Sequence, residues 1–275
     1  MSVVITAKLS LALRLIDTTT GKEVDESGIS FFLDGNRLIP MKKGEGVFVF
    51  VNIGREDFLM QIDAPGYEKA DVDVNHEKLD PRLPMLDIFL MPSEKNRVGG
   101  SVLELNGTLK GLTEIEAIRL DRPIGLFQSA QSRKEVHSMN ILPVRAGGGC
   151  MLDQIAYALL SEDEERYDVF TVQQQNAPLS IILKEPVETE HKLNDKIFRI
   201  IYGRASPDGK FRLKVRDDSS TLPYLLRIKV GEEVYFKKID FHETNGKITR
   251  TELLKGAAKK ESVTEPKETE ETKDE

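Results

Sequence analysis

The stretch that decides the fold class begins LSLALRLID at residues 9–17 and turns through TTTG at residues 18–21. It continues as short apolar runs, namely ISFFL at 29–33, VFVFV at 47–51, FLMQID at 58–63 and MLDIFLM at 85–91. Turn-forming sequences separate these runs, such as KGEG at 43–46 and APG at 64–66. Short apolar runs bounded by Gly, Pro, Asn and Asp are typical of sandwich strands, so the sequence predicts a mainly β protein with an N-terminal Ig-like β-sandwich.

The start of the chain has the period of a strand with one buried face. Alternate residues are apolar from the third position onward: Val3, Ile5, Ala7, Leu9, Leu11, Leu13 and Leu15. Successive side chains of a strand point to opposite faces of the sheet. We therefore expect all of these odd-numbered residues to share the buried face.

Several short motifs follow one another in a recognisable order within residues 1–94. They are Asp17, Thr20-Gly21, Gly46-Val47-Phe48, Ala64-Pro65-Gly66-Tyr67 and Ile88-Phe89-Leu90-Met91-Pro92. The order of a D-x-x-T-G turn, an aromatic-rich strand after Gly and an A-x-G-Y corner resembles the carboxypeptidase regulatory-like, or prealbumin-like (transthyretin-like), β-sandwich modules. The resemblance implies a non-catalytic module that stabilises, spaces or binds.

The pattern divides the chain into three parts. Residues 1–94 are predicted to form the prealbumin-like sandwich, and residues 97–245 a second β-rich domain. Residues 255–275 are predicted to be a disordered charged tail, because they hold too few large apolar residues to offset the entropy of ordering. The order of residues near Gly46 recurs near Gly209, which predicts a degenerate second sandwich over 178–245. Independent use of similar hairpin sequences is the alternative.

The second domain is predicted to contain one helix and one long loop. The helix follows from a stripe at 3.6-residue spacing, formed by Leu152, Ile155, Ala156, Leu159 and Leu160. The loop is predicted over residues 122–149, where polar residues dominate, and loops of that length are usually functional or mobile. Asn106-Gly107 predicts a two-residue hairpin turn.

Composition and charge argue against several classes of function. The 275-residue chain has a net charge of −7, whereas nucleic-acid binders need clustered Lys and Arg, so no nucleic-acid partner is expected. The chain has no Trp, which disfavours carbohydrate binding, and no apolar run of about 18 residues that could span a membrane. Cys150 is the only cysteine, and the N-terminus lacks signal-peptide features, so we expect cytoplasmic synthesis with the final location open.

Cys150 is the candidate nucleophile. A thiol that follows three glycines at a helix start would be activated by the helix N-terminus, and His191 or His242 could supply the base of a cysteine hydrolase. Against this hypothesis, single cysteines at the start of an apolar segment are more often small core residues. We therefore assign no catalytic residue and keep the hydrolase as the alternative function.

No metal or cofactor is expected from the sequence. Residues 71–77, DVDVNHE, superficially resemble a calcium loop but lack its required Gly, and their period of two favours a solvated strand face. The glycines at 147–149 could cradle a phosphate, but they lack the Lys-Ser/Thr of a P-loop. A flexible hinge is the favoured interpretation of these glycines.

The strand Val47–Val51 is apolar at every position, yet a sandwich strand has only one face toward the core. If the valines point inward, Phe48 and Phe50 form an exposed interaction site; the reverse parity exposes the valines instead. Another part of this chain could also cover the outer face. The sequence thus favours a non-enzymatic structural or interaction protein that contributes β-sandwich modules to a larger assembly, for instance a phage-tail-like particle. The partners would be other proteins or further copies of this chain.

Overall fold

The computed structural model of the protein describes residues 9–24, 27–44, 46–54, 56–93, 102–128, 136–144, 155–177, 179–187, 191–216, 223–241, 253–255 and 257–259. The protein is mainly β, as the apolar runs predict. Within the described residues no helix reaches seven residues, and none is long and apolar enough to cross a membrane.

The N-terminal residues form a two-sheet sandwich. Its strands are β1 (Leu9–Asp17), β2 (Lys22–Glu23), β3 (Ser30–Leu33), β4 (Asn36–Leu38), β5 (Met41–Lys43), β6 (Val47–Val51), β7 (Phe58–Asp63), β8 (Ala70–Val74) and β9 (Met85–Leu90), with a 3₁₀ turn at His76–Lys78. One sheet has the order β2-β1-β6-β5 with β9 parallel to β1, and the other has the order β4-β3-β7-β8. Residues of both sheets share one core, which includes Leu13, Phe31 and Ile62.

A β-bulge changes the parity of β1. Leu9 pairs with Val51 and Leu11 with Phe50, so the extra residue Ser10 stands opposite no residue of β6. A bulge of one residue shifts all side chains beyond it to the other face. Leu11, Leu13 and Leu15 lie in the sandwich core as expected, but Leu9 is 38% exposed. The prediction that Leu9 shares their buried face is therefore wrong.

The rest of the described chain forms a second sandwich and a barrel. The strands are β10 (Val102–Thr108), β11 (Leu112–Arg119), β12 (Gly125–Phe127), β13 (Val136–Pro143), β14 (Ala156–Leu160), β15 (Tyr167–Ala177), β16 (Ser180–Val187), β17 (Lys196–Arg199), β18 (Ile201–Tyr202), β19 (Arg204–Ala205), β20 (Lys210–Arg216), β21 (Tyr224–Val230), β22 (Glu233–Ile239) and β23 (Ala258–Lys259). The sheets β10-β20-β19 and β18-β11-β21-β22-β23 enclose one core. Strands β12 to β17 form a closed six-stranded barrel inserted between β11 and β18.

These strands correct several predictions for the second domain. Residues 156–160 form β14, not a helix, and β12 and β13 occupy part of the predicted loop 122–149. Asn106-Gly107 lies inside β10, and the chain turns instead at Gly111, which has a φ of +82°. The second sandwich includes β10 and β11, so it is not confined to 178–245, and β16 within that range belongs to the barrel. In the predicted tail, β23 pairs with β22, and residues 260–275 lie outside the described residues.

A network of charged side chains around one buried lysine joins the two sandwiches. Lys214 on β20 is 2% exposed, and its Nζ donates to Glu68 Oε1 (2.8 Å) and to the carbonyl of Pro92 (2.7 Å). Arg212 on the same strand donates to both carboxylate oxygens of Glu68 and of Glu104. A buried ammonium is tolerated only when it is paired and hydrogen-bonded, and here both conditions are met.

The D-x-x-T-G turn and the A-x-G-Y corner lie at this same joint. Arg216 donates to Asp17 Oδ2 (2.8 Å) and to Thr19 Oγ1 (3.0 Å), and the Tyr67 hydroxyl donates to Asp17 Oδ2 (3.0 Å). Gly21 has a φ of +61°, and a Cβ on it would lie 2.9 Å from the carbonyl oxygen of Ile200. The turn needs glycine both for its backbone conformation and for the close approach of the second unit.

The N-terminal sandwich also contacts the barrel. Ile16 points away from its own sandwich core and is fully buried in the apolar cluster that fills the barrel, against which Phe89 also packs. The ring of Phe89 lies 4.2 Å from that of Tyr202, measured between centroids. The outer face of the first sheet is therefore covered over β9 and the C-terminal part of β1.

Candidate interaction surface

The structure places Phe48 and Phe50 in the core of the first sandwich. They are 4% and 2% exposed, and their ring centroids lie 5.0 and 5.1 Å from that of Phe31 in the opposite sheet. These distances are typical of packed aromatic pairs, so the larger side chains of β6 occupy the core. The two phenylalanines are not the exposed interaction site that the sequence favours, and the correction follows from the parity of β6.

The valines of β6 point outward, as the second alternative requires. Val47, Val49 and Val51 are each partly exposed. On the neighbouring strands Met41 pairs with Val49 and is 46% exposed, while the bulge in β1 brings Leu9 beside Val51. We call this set, Leu9, Met41, Val47, Val49 and Val51, the outer valine face. It is a continuous row of apolar side chains across three strands.

The candidate catalytic residues are only partly described. Cys150 and His242 lie outside the described residues, as does the glycine run 147–149. His191 is buried, with Nδ1 3.0 Å from Asp195 Oδ2 and Nε2 3.1 Å from Asp168 Oδ2. A histidine that activates a thiol must direct one ring nitrogen toward it, whereas both nitrogens of His191 contact carboxylates. His191 thus joins the loop before β17 to β15 inside the barrel unit. The cysteine hydrolase stays an untested prediction.

The predicted strand face at 71–77 has the expected alternation. Ala70 and Val74 are buried and Asp71 and Asp73 are exposed, and Asn75 caps the following 3₁₀ turn. Across the described ranges, no group of three or more His, Cys, Asp or Glu side chains is placed to hold a metal ion.

The pKa values of two carboxyl groups at the sandwich joint are shifted. Burial alone would raise the pKa of Glu68, but hydrogen bonds from Lys214 and Arg212 lower it below its ordinary value. The pKa of Glu104 is lowered in the same way, by Arg212 against the effect of burial. Both carboxylates are thus held in the charged form that the buried lysine requires.

The carboxyl of Glu116 is more deeply buried, between the second sandwich and the barrel, and its environment is different. Burial raises the pKa of Glu116 to about 7, although the guanidinium of Arg227 opposes this effect. Arg227 Nη1 lies 3.4 Å from Glu116 Oε1. Among the described residues, Glu116 Oε2 and the buried hydroxyl of Tyr167 have no hydrogen-bond partner. Burial and the nearby Glu116 also raise the pKa of the Tyr167 hydroxyl.

Neither the charges at the sandwich joint nor Glu116 is predicted from the sequence. Lys214 and Arg212 stand in KFRLKVR, which has the pattern of an ordinary strand with a solvated face. Glu116 interrupts the apolar residues of β11 at a position where a solvent-facing residue is expected. The partners that bury these residues lie far away in sequence, so no local signal identifies them. The chain matches no protein-family model, and no curated protein matches it.

Proposed function

We propose that this protein is a non-enzymatic structural or interaction protein that contributes β-sandwich modules to a larger protein assembly. The observation that carries the proposal is the outer valine face of the first sandwich. Met41 and Leu9 expose 46% and 38% of their surface there, beside the partly exposed valines of β6. Apolar side chains that lie together on a folded surface mark sites of association.

The composition of this face favours a protein partner. Its central residues are aliphatic, and flat aliphatic surfaces recognise other apolar protein surfaces through shape and exclusion of water. The partner would be a different protein of the assembly or another copy of this chain. The net charge of −7 disfavours nucleic acid as the partner.

The role of a spacing module is supported by the joint between the sandwiches. Asp17 and Tyr67, two residues that carry the resemblance to the prealbumin-like modules, bond to each other, and Asp17 also bonds to Arg216 of the second unit. Lys214 is paired across the same interface. An interface held by directional, charge-assisted hydrogen bonds fixes the orientation of the modules and not only their proximity. Such a body can present the outer valine face in a defined direction.

The test is a capture experiment with the full-length chain. The immobilised wild-type protein is incubated with lysate from its source cells, in parallel with the double variant Met41→Ser/Val49→Ser and the control Leu142→Ser. Leu142 is an exposed leucine on β13 of the barrel, 48% exposed, so its replacement controls for the loss of an apolar surface residue. We expect the wild type and the control to capture the same discrete proteins and the double variant to lose them. Equal capture by all three would contradict the proposal.

A further inference from the structure

The connection between β4 and β5 carries the most exposed large apolar side chain of the described residues. Ile39 is 92% exposed, and its neighbours Arg37, Lys42 and Lys43 are exposed as well. We call the exposed residues Arg37, Ile39, Lys42 and Lys43 the Ile39 edge. Leaving an isoleucine in water forfeits the free energy of burying it, and the flanking cations give this edge a local positive charge in an acidic protein.

A groove with matching properties lies at the other side of the same sandwich. It has a volume of about 510 Å³ and opens between the ends of β7 and β8, the 3₁₀ turn and β9. Phe58, Leu59 and Leu86 supply apolar walls, and Leu59 is 44% exposed; the other lining residues are Asp57, Asp73, Val74, Asn75 and Lys78. We call it the β8 groove. It combines an apolar floor with two exposed carboxylates and one ammonium.

The two features lie at opposite edges of the sandwich. Strands β4 and β8 are the two outermost strands of one sheet, and in the other sheet β5 and β9 lie at opposite ends. Ile39 of a molecule therefore cannot enter the groove of the same molecule. A contact between the Ile39 edge of one copy and the β8 groove of another is heterologous, and it leaves one edge and one groove unused at the two ends of any chain of copies.

We propose that this protein associates head to tail with copies of itself, with Ile39 of one copy seated in the β8 groove of the next. The inference deepens the proposed assembly function and rests on it. Arg37 and Lys43 of one copy would then lie against Asp57 and Asp73 of its neighbour. This charge complementarity selects the orientation, and the aliphatic contact supplies the apolar burial.

Two charge-altering variants test the contact from its two sides. Ile39→Asp places a carboxylate where the groove already has Asp57 and Asp73, and it leaves the groove intact. Asp73→Lys opposes the cations of the Ile39 edge, and it leaves that edge intact. Both residues are exposed, so neither replacement disturbs the core. We expect sedimentation velocity of the wild type to show association that grows with protein concentration and weakens with added salt, and each variant to associate at least about tenfold more weakly.

Mixing the two variants gives the sharpest result. Ile39→Asp supplies an intact groove and Asp73→Lys an intact edge, so an equimolar mixture should regain the association that neither variant shows alone. An isologous contact through another face would not be restored in this way. The control Leu142→Asp on the barrel should behave like the wild type.

Three outcomes would overturn the inference: a wild type that stays monomeric at high concentration, association that both variants retain, or variants that fail to pair when mixed. The proposed assembly function is tested separately. If capture of partner proteins depends on Met41 and Val49 while the wild type is monomeric, the head-to-tail contact is wrong and the assembly function stands.

Discussion

The outer faces of the two sandwiches differ in how far the rest of the chain covers them. In the second sandwich, the outer face of β11, β21 and β22 carries Ile118, Leu225 and Phe236, all buried together with barrel residues such as Leu160 and Phe198. In the first, the outer face is covered over β9 and the C-terminal part of β1 but remains partly open over β5 and β6, where Met41 and Val49 lie. Where an apolar outer face has a neighbour within the chain, the neighbour buries it. The open half is therefore the place where a partner from outside the chain fits best.

The largest effect is expected on the covered face. Leu225→Ala removes a buried side chain between the second sandwich and the barrel, and it should lower the free energy of unfolding by about 2–5 kcal/mol. The matched replacement Val49→Ala on the open face should cost less than about 1 kcal/mol, because the valine is already partly hydrated. Urea unfolding of both variants measures the difference. Equal losses would mean that the two faces are equally buried.

The next effect concerns the joint that holds the two sandwiches together. Lys214→Met removes a buried ammonium and leaves Glu68 with less compensation, so we expect a loss of about 3 kcal/mol in unfolding free energy. Lys229→Met is the control, since Lys229 pairs with Glu114 at a site where its side chain is 33% exposed, and it should cost less than about 1 kcal/mol. A Lys214 variant as stable as the control would show that the paired charges do not fix the joint.

Glu116, on the covered face, should lower the stability of the folded protein as the pH rises, whereas Lys214 raises it. Its pKa rises from 4.5 to about 7 on folding, so the folded protein holds the proton more tightly than the unfolded chain does. Below about pH 4.5 both states are protonated and no stability is lost. As the pH rises from there to about 7, the unfolded chain ionises first and stability falls by up to about 3 kcal/mol.

Glu116→Gln should remove this loss. The variant should match the wild type at acidic pH and exceed it above pH 7 by up to about 3 kcal/mol, while Arg227 keeps its bond to Glu114. Glu68 and Glu104 have lowered pKa values, so their contribution is present above about pH 4.5 and is lost as the pH falls through their folded values. Parallel pH profiles for the wild type and the Glu116 variant would contradict the difference between the two interfaces.

The sequence allowed the strands of the first sandwich to be predicted because each has one buried face. The prediction was wrong for β14, which is buried on both faces. In β14, Tyr157 and Leu159 point into the barrel core, while Ala158 and Leu160 pack between the barrel and the second sandwich. The resulting apolar run has no period of two, and its spacing therefore predicts a helix.

At the candidate site, the sequence does not determine which face of a strand points toward the core. The apolar run Val47–Val51 correctly indicates an excess of apolar surface on the outer face, but a strand in which every residue is apolar does not reveal its own parity. Phe48 and Phe50 fill the core because they meet Phe31 on the opposite sheet, and that contact depends on tertiary packing. The exposure of Leu9 depends on a bulge at Ser10, for which no turn-forming residue gives a signal.

The smallest expected perturbation, oxidation of Met41, gives the most direct test of the assembly account. Methionine oxidation follows exposure, and the chain offers an internal comparison between Met41 at 46% and the fully buried Met60. Brief peroxide treatment followed by mass spectrometry should show rapid oxidation of Met41 and slow oxidation of Met60 in the purified protein. In native lysate from the source cells, Met41 should be protected while Met60 is unchanged. Equally rapid oxidation of Met41 in lysate and in the purified protein would show that no partner covers the outer valine face, and the account would be contradicted.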